Sequence, residues 1–542
     1  MTTAGAQSLY DRFFDEYYFP SNPSAATSSG IHKYDGELED YSRAGREARL
    51  AKLKQFEAEF AKLPPDPDRD LVLATIRGTL LELEQIRGWE KDPDTYSSGI
   101  TSSAFAIMSR NFAPPETRLR SLIARERKMP QALNEARGNL RNPPKIFTEI
   151  AIEQLPGNID FFKNDVPLAF KSVKDPKLLA DFNAANGAVI AALQEYQRFL
   201  EKEILPKSSG DFRLGANNYS KKLLYDEMVD IPLDRLLQIG YDDLHANQKA
   251  FRETAAKIDP KRTPRQILDD LEKDHPAPDK LLDAFRETTT KLRDYIVAHK
   301  IITVPSPVPP ILEETPPFMR ALTSASMDTP GPYEMVAKEA FFNVTLPEKG
   351  WPAERVEDFM RGFNRGTILS TAVHEAYPGH YVQFLWMQHV DSRVRKLLGA
   401  ASNAEGWAHY CEQMMLDEGY TTDLRLRLGQ LQDALLRDAR YIVGIEMHTG
   451  RRSMEQGIEF FEKEGYQTHE TAVRETKRGT SNPTYLYYTL GKLEILKLRE
   501  DYRKLKGPKF SLQEFHDNFV KQGFPPIKIV RKAMLGNDSP VL

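Results

Sequence analysis

The stretch YLYYTLGKLEILKLREDYRKL, residues 485–505, spaces its apolar side chains three and four apart, with lysines, arginines and acids between them. That period of about 3.6 residues predicts an amphipathic helix. The same spacing recurs over 45–62 (GREARLAKLKQFEAEFAK), 175–203, 278–299 and 423–447. Alternating apolar and polar runs, the mark of a half-buried strand, are few; HKIITVP at 299–305 and AFFNVTLP at 340–347 qualify best. The fold class expected is therefore mainly α, a large helical body with a small β element. Proline clusters punctuate the chain at 64–68, 143–144 and most heavily at 305–317 (PSPVPPILEETPP), where backbone donors and helical dihedrals are both lost. The 542 residues are read as one domain over 1–542, either undivided or as two lobes of about 1–304 and 318–542 that meet at this run.

Composition narrows the function. The chain is 40% hydrophobic and 28% charged, with a mean hydropathy of −0.52. No apolar run approaches the roughly 18–20 residues of a membrane span. The 74 basic and 78 acidic residues are well mixed and leave a net charge of −4, so no basic face announces nucleic acid as a partner. Cys411 is the only cysteine, which excludes an internal disulfide framework and any cysteine-built metal site. Histidine and carboxylate must hold any metal. The segment MTTAGAQSLYDRFFDEYY lacks the basic stretch and apolar core of a signal peptide, so the expected location is cytoplasmic, or periplasmic or secreted if a leader is missing from this sequence. Oligomeric state has no signal in the sequence.

The chemistry concentrates in TAVHEAYPGHYVQ, residues 371–383, and SNAEGWAHYCEQM, residues 402–414. Of the 11 histidines, His374, His380, His389 and His409 cluster here, among Glu375, Glu405 and Glu412. Hydrolytic zinc sites commonly take two histidines and a glutamate and leave a fourth position for water, a set available as His374, His380 and Glu405. The spacing is unusual. Four residues return a helix to nearly the same face, whereas the six from His374 to His380 leave a net rotation of about 240°. Pro378 removes a helical hydrogen bond and collides with the carbonyl of His374. A bulge over Tyr377–Gly379, with Gly379 supplying φ freedom, would restore the register and bring the two imidazole nitrogens within about 3–4 Å, as ligands of one zinc require. The 402–414 segment reads as a following helix with Ser402 or Asn403 as N-cap and with Glu405, His409 and Glu412 on one face.

HEAYPGHYVQ, EGWAHYCE, ARYIVGIEMHTG, YYTLGKLEILKLRED and FHDNFVKQGFPPI together resemble the bacterial family known as domain of unknown function 885, a zincin-like group. The likeness extends over most of the chain, including LYDRFFDEYYFPSNPSAATSSGIHKYDGELEDYS near the start. It implies a mostly helical, metallopeptidase-like body with an interior active-site cleft and one zinc at the positions of His374, His380 and Glu405. It also implies export or lipid anchoring, which many relatives show. One departure is Asn482-Pro483-Thr484 where relatives carry Pro-Gly-Gln, so contacts from that loop do not transfer.

In this reading Glu375 is the general base that takes a proton from a metal-activated water. Glu405 is the third ligand and His409 its competitor. Tyr488 and His448 are the candidate oxyanion donors, with Tyr485 and Tyr487 as alternatives to Tyr488. Arg440 and Lys492 are the candidate counter-charges for a peptide end, with Arg451, Arg452 and Arg499 nearby. Cys411 reads as a small buried apolar residue. The expected function is a zinc-dependent hydrolase cleaving amide bonds of short peptides. The alternatives are a metal-dependent amidase or tailoring enzyme acting on a non-peptide, or a metal-free binding protein with a vestigial cleft.

Overall fold

The structure, a computed structural model, describes residues 9–316, 320 and 323–542. The chain is mainly α with one small sheet. It forms two compact units. The first comprises Met1–Phe212, Pro317–Ala321 and Pro330–Lys338, and the second Arg213–Pro316, Leu322–Thr329 and Glu339–Leu542. The division falls at 212/213, and most of the 305–317 proline run lies inside the second unit.

In the first unit, helices Asp94–Met108, Pro115–Glu126, Lys145–Asp160 and Pro176–Phe199 enclose a core that includes Tyr96, Leu119, Phe161, Phe162, Val189 and Tyr196. The 45–62 periodicity appears as Arg43–Phe60, begun by Ser42, whose hydroxyl accepts from the Gly45 N–H at 3.0 Å. The 175–203 periodicity appears as Pro176–Phe199, capped by Asp175 and continued by a π-helical turn, Leu200–Ile204. Residues 330–338 return to this unit. The Tyr333 N–H donates to the Ser29 carbonyl at 3.0 Å, Glu334 Oε2 lies 3.1 Å from His32 Nε2, and Ala337 joins the core.

The second unit contains the helices α1 (Leu233–Ile258), α2 (Leu281–Ala298), α3 (Arg365–Glu375), α4 (His380–Trp386), α5 (Ala401–Asp417), α6 (Leu424–His448), α7 (His469–Ser481), α8 (Tyr487–Lys506) and α9 (Leu512–Val520). The 278–299, 423–447 and 485–505 periodicities correspond to α2, α6 and α8. Helix α5 packs on α8, α1 on α6, and α3 on both α5 and α6. The α5–α8 crossing is backbone against backbone: a Cβ on Gly491 would lie 1.9 Å from the Ser402 carbonyl oxygen, and one on Gly406 would lie 2.5 Å from Gly491 Cα. That approach fixes the helix carrying Glu405 against the helix carrying Tyr488.

The sheet has the order β1-β3-β2, with β1 (Ile311–Glu314) parallel and β2 (Ala325–Asp328) antiparallel to β3 (Phe341–Val344). The 340–347 expectation is the central strand. The 299–305 expectation is corrected: this segment is irregular, because its backbone groups pair with the end of α2 and with side chains rather than with a neighbouring strand. The Thr303 N–H donates to Asp517 Oδ1 at 2.9 Å, the Thr303 carbonyl accepts from Trp386 Nε1 at 3.0 Å, and the Ile301 carbonyl accepts from His516 Nδ1 at 2.7 Å. Ile301 and Ile302 are buried all the same, which explains the apolar pattern. No helix among the described residues is long and apolar enough to cross a membrane.

His516, on α9, is fully enclosed, with Nδ1–H on Ile301 and Nε2 2.8 Å from the Tyr410 hydroxyl, whose oxygen accepts from Arg499 at 3.0 Å. Burial pushes its pKa down to about 3, against the Ile301 hydrogen bond, which favours the charged form. The folded state thus binds fewer protons than the unfolded state between pH 6.5 and 3, so this group's contribution to stability is complete above 6.5 and is lost as pH falls through that window. The expected outcome is that His516→Gln, although less stable than wild type at pH 7, loses on the order of 2 kcal/mol less between pH 6.5 and 4. Urea unfolding over a pH series measures this, and parallel losses would assign the acid sensitivity to other groups.

Candidate metal centre

Helix α3 begins on Asn364, whose Oδ1 accepts from the Gly366 and Thr367 N–H groups at 2.9 and 3.1 Å, and it ends at Glu375. The Ala376 and Tyr377 N–H groups both return to the Ala372 carbonyl, at 3.0 and 3.2 Å, and the Gly379 N–H to that of Val373 at 3.0 Å. The chain then restarts as α4 at His380. The expected bulge within a continuing helix is corrected to a full break between two helices, across a cis Tyr377–Pro378 peptide bond. Gly379 is required for a different reason from the one expected. Its φ of −67° is not left-handed, but a Cβ there would lie 1.9 Å from the His374 carbonyl oxygen and 2.3 Å from that of Val373. The Pro378 carbonyl is held by Trp407 Nε1 at 3.0 Å, which fastens the break to α5.

The break turns His374 and His380 toward each other, with ring centroids 4.8 Å apart and planes at 85°. Together with Glu405 they offer three ligand atoms that all lie within 4.8 Å of one another. Glu405 Oε2 is 3.3 Å from His374 Nε2 and 3.5 Å from His380 Nε2. Two ligands each about 2.0–2.1 Å from one tetrahedral ion stand about 3.3 Å apart. Glu405 Oε2 is buried without a hydrogen-bond partner, and so is His380 Nδ1. A buried carboxylate oxygen set between two imidazole nitrogens is an arrangement that could hold a divalent metal ion.

The surrounding groups orient these donors. His374 Nδ1–H donates to Glu412 Oε1 at 2.7 Å, which leaves Nε2 as the nitrogen that faces Glu405. Glu412 also accepts from Arg437 Nη2 at 2.8 Å and from His409 Nδ1 at 3.2 Å. Burial would raise the Glu412 carboxyl, but Arg437 and the imidazoles hold it well below the ordinary carboxylate range. Burial pushes His409 down to about 3, so it is neutral. With its Nδ1 on Glu412, His409 supports the centre from behind and is not part of the three-ligand group. Burial would also lower His374, but Glu405 and Glu412 raise it to about 10, while the two imidazoles hold Glu405 well below its ordinary value. Glu375 is half-buried, and burial raises its carboxyl against the opposing pull of His374, His380 and the Met327 N–H of β2.

Tyr488 stands beside this group. Its ring centroid is 6.4 Å from that of His374, its hydroxyl oxygen accepts from Arg478 Nη2 at 3.1 Å, and burial followed by the Glu405 charge raises its pKa. Tyr487 accepts from Asn482 Nδ2 at 2.9 Å, and the buried Tyr485 reaches the Glu475 carbonyl at 3.5 Å. His448 is directed elsewhere: its buried Nε2–H donates to the Gly479 carbonyl at 2.8 Å. The expected counter-charges are internal. Arg440 holds Glu475 bidentately at 2.7 and 2.9 Å, and Lys492 is buried on Asp243 at 2.8 Å, beside Asp438. Arg451 and Arg452 pair with Asp234 and Glu446. The α5 N-cap is Ala400, not Ser402 or Asn403. The Ser402 N–H is taken by the Glu227 carboxylate at 3.0 Å, and the Asn403 amide bridges Gln383 and the Pro525 carbonyl. Sequence reasoning placed Glu412 on the right helix face without a role and passed over Arg437 and Arg478, for which no local signal exists.

A family model described as a bacterial protein of unknown function, DUF885, matches residues 23–534. A solved structure of a candidate lipoprotein of unknown function from Shewanella oneidensis is 28% identical, with a TM-score of 0.81 over 97% of this chain and 99% of that one. A candidate lipoprotein from Colwellia psychrerythraea is 19% identical, with a TM-score of 0.82 over 98% and 99%. No curated protein matches the chain.

The helix break generates a prediction of its own. Gly379→Ala should destabilise the protein by about 2 kcal/mol or more, because the carbonyls it would strike belong to backbone. Gly157→Ala, inside a helix with nothing within 4 Å of its Cβ position, should be neutral or slightly stabilising. Thermal melts of the two variants beside wild type test the contrast, and equal behaviour would show that the break tolerates a side chain.

Proposed function

Since the chain belongs to the bacterial family DUF885, whose function its description leaves open, we propose from its own residues that it is a zinc-dependent, zincin-like hydrolase of short peptides. The observation that carries this reading is the buried Glu405 Oε2, set 3.3 and 3.5 Å from two imidazole nitrogens, with Glu375 directly following the first of them. His374, His380 and Glu405 would hold one zinc ion, which when bound supplies Lewis acidity and lowers the pKa of water.

The remaining steps belong to the chain's own residues. Glu375, raised by burial, is suited to accept the proton of the attacking water and to return it to the departing amine. The Tyr488 hydroxyl accepts from Arg478 and so keeps its own proton to donate to the substrate's carbonyl oxygen as negative charge develops there. Glu412 fixes the tautomer and orientation of His374. β2 is an edge strand beside Glu375, and an edge strand can align an extended peptide by main-chain hydrogen bonds. The descriptions of the two solved structures as candidate lipoproteins support work outside the cytoplasm, in the cell envelope.

Elemental analysis of the purified protein should find close to one zinc per chain. Glu375→Gln should keep that zinc and lose about 10²–10⁴-fold in peptide hydrolysis, while Glu405→Ala should lose the zinc. Undiminished turnover by Glu375→Gln, or a protein that takes up no metal, would end this reading.

A further inference from the structure

Three guanidinium groups surround the Tyr488 ring: Arg440 at 5.0 Å, Arg437 at 5.7 Å and Arg478 at 5.9 Å from its centroid. Two of them are neutralised. Arg437 is paired with Glu412 at 2.8 Å, and Arg440 is forked onto Glu475 at 2.7 and 2.9 Å. Arg478 differs. One N–H donates to the Tyr488 hydroxyl at 3.1 Å, and no carboxylate among the described residues lies within ion-pair distance of its guanidinium. The nearby carboxylate, Glu475, is already claimed by Arg440 and shared electrostatically with Arg478 and the exposed Arg474. Of the three guanidiniums around Tyr488, half-buried Arg478 is therefore the one that no carboxylate holds directly. Holding a charge in such a place is costly unless a partner arrives.

A guanidinium presents five N–H donors in a rigid fork that matches a carboxylate. With one donor on Tyr488, the others remain for a ligand. We propose that Arg478 anchors a carboxylate of the substrate, so that the protein acts on peptides with a free C-terminal carboxylate and releases one or two residues from that end. The spacing follows from the contacts. A carboxylate about 3 Å beyond Arg478, itself 3.1 Å from the Tyr488 hydroxyl, stands within about 6 Å of that hydroxyl and within about 9 Å of a carbonyl oxygen hydrogen-bonded to it. At about 3.3–3.6 Å per residue, an extended chain fits one or two whole residues inside that limit. The assignment rests on the hydrolase reading for the identity of the reacting bond, but not for the anchoring of the anion.

The test uses two matched libraries of N-acetylated tripeptides, one with free C-terminal carboxylates and one amidated. Retention on the Glu375→Gln protein is measured by affinity selection and mass spectrometry, and hydrolysis is measured separately with wild type. The expected result is at least about tenfold preferential retention of the acids, falling to parity when Arg478→Gln is added with its melting profile preserved. If Arg478 served only to place Tyr488, acids and amides would weaken together and their ratio would stay. Parity in the parent, or an undiminished preference in the double variant, overturns the proposal. Should Arg478→Gln fail to fold, Arg478→Lys keeps the charge but loses the fork; a several-fold smaller preference is expected, and an unchanged one overturns the proposal equally. Acid-selective, Arg478-dependent binding without any hydrolysis by wild type would keep the anchor and remove the hydrolase reading. Hydrolysis without acid preference would do the reverse.

Discussion

The candidate centre depends on a single steric constraint: the absence of a side chain at position 379. The two histidines are six residues apart, a separation that on one helix would send them to different faces. Ending α3 at Glu375 and restarting at His380 removes the conflict, and the chain can fold back this tightly only because the Gly379 Cα lies against the carbonyls of Val373 and His374. Trp407 then ties the Pro378 carbonyl to α5, the helix that brings Glu405. Fold and site are therefore coupled locally: the contact that closes the break also positions Glu405 beside the two histidines.

A buried ionic layer supports this geometry. Glu412 receives His374, His409 and Arg437; Arg440 meets Glu475; Lys492 meets Asp243. Isolated, each of these charges would be expensive to bury, and paired they add little net stability. Their value lies in orientation, because a hydrogen-bonded carboxylate behind a histidine sets which nitrogen faces the site. The layer also accounts for the enclosure of Arg440 and Lys492, since charges that hold helices together are not available to a ligand.

Much of this was legible in the sequence, for identifiable reasons. Helices α2, α6 and α8 announce themselves by period, which is a local property. The convergence of His374, His380 and Glu405 was legible because residue type and spacing could be weighed together against the geometry a metal site would need. The β1 and β2 strands were not, since each has four residues and β1 lies within a proline-rich run where alternation cannot be recognised. The 299–305 segment misled for a related reason: alternating burial reports which side chains are inside, not whether the backbone has a neighbouring strand. The roles of Glu412, Arg437 and Arg478 arise where α5, α6, α7 and α8 meet, and no local pattern encodes such a meeting. Charge alone pointed to Arg440 and Lys492, because a sequence displays cations but not their partners.

The first unit is closed by residues far along the chain. Ala337 completes its core, Tyr333 bonds Ser29, and Glu334 sits on the ring of His32, which stacks on Phe112 at 3.9 Å. A polypeptide emerging from a ribosome therefore cannot finish this unit when residue 212 appears. It must wait for more than a hundred further residues, which include α1, α2 and two of the three strands of the other unit. The order of synthesis is thus not the order of completion, and an amino-terminal fragment cut at the apparent boundary would carry an unfilled core and a histidine without its second carboxylate.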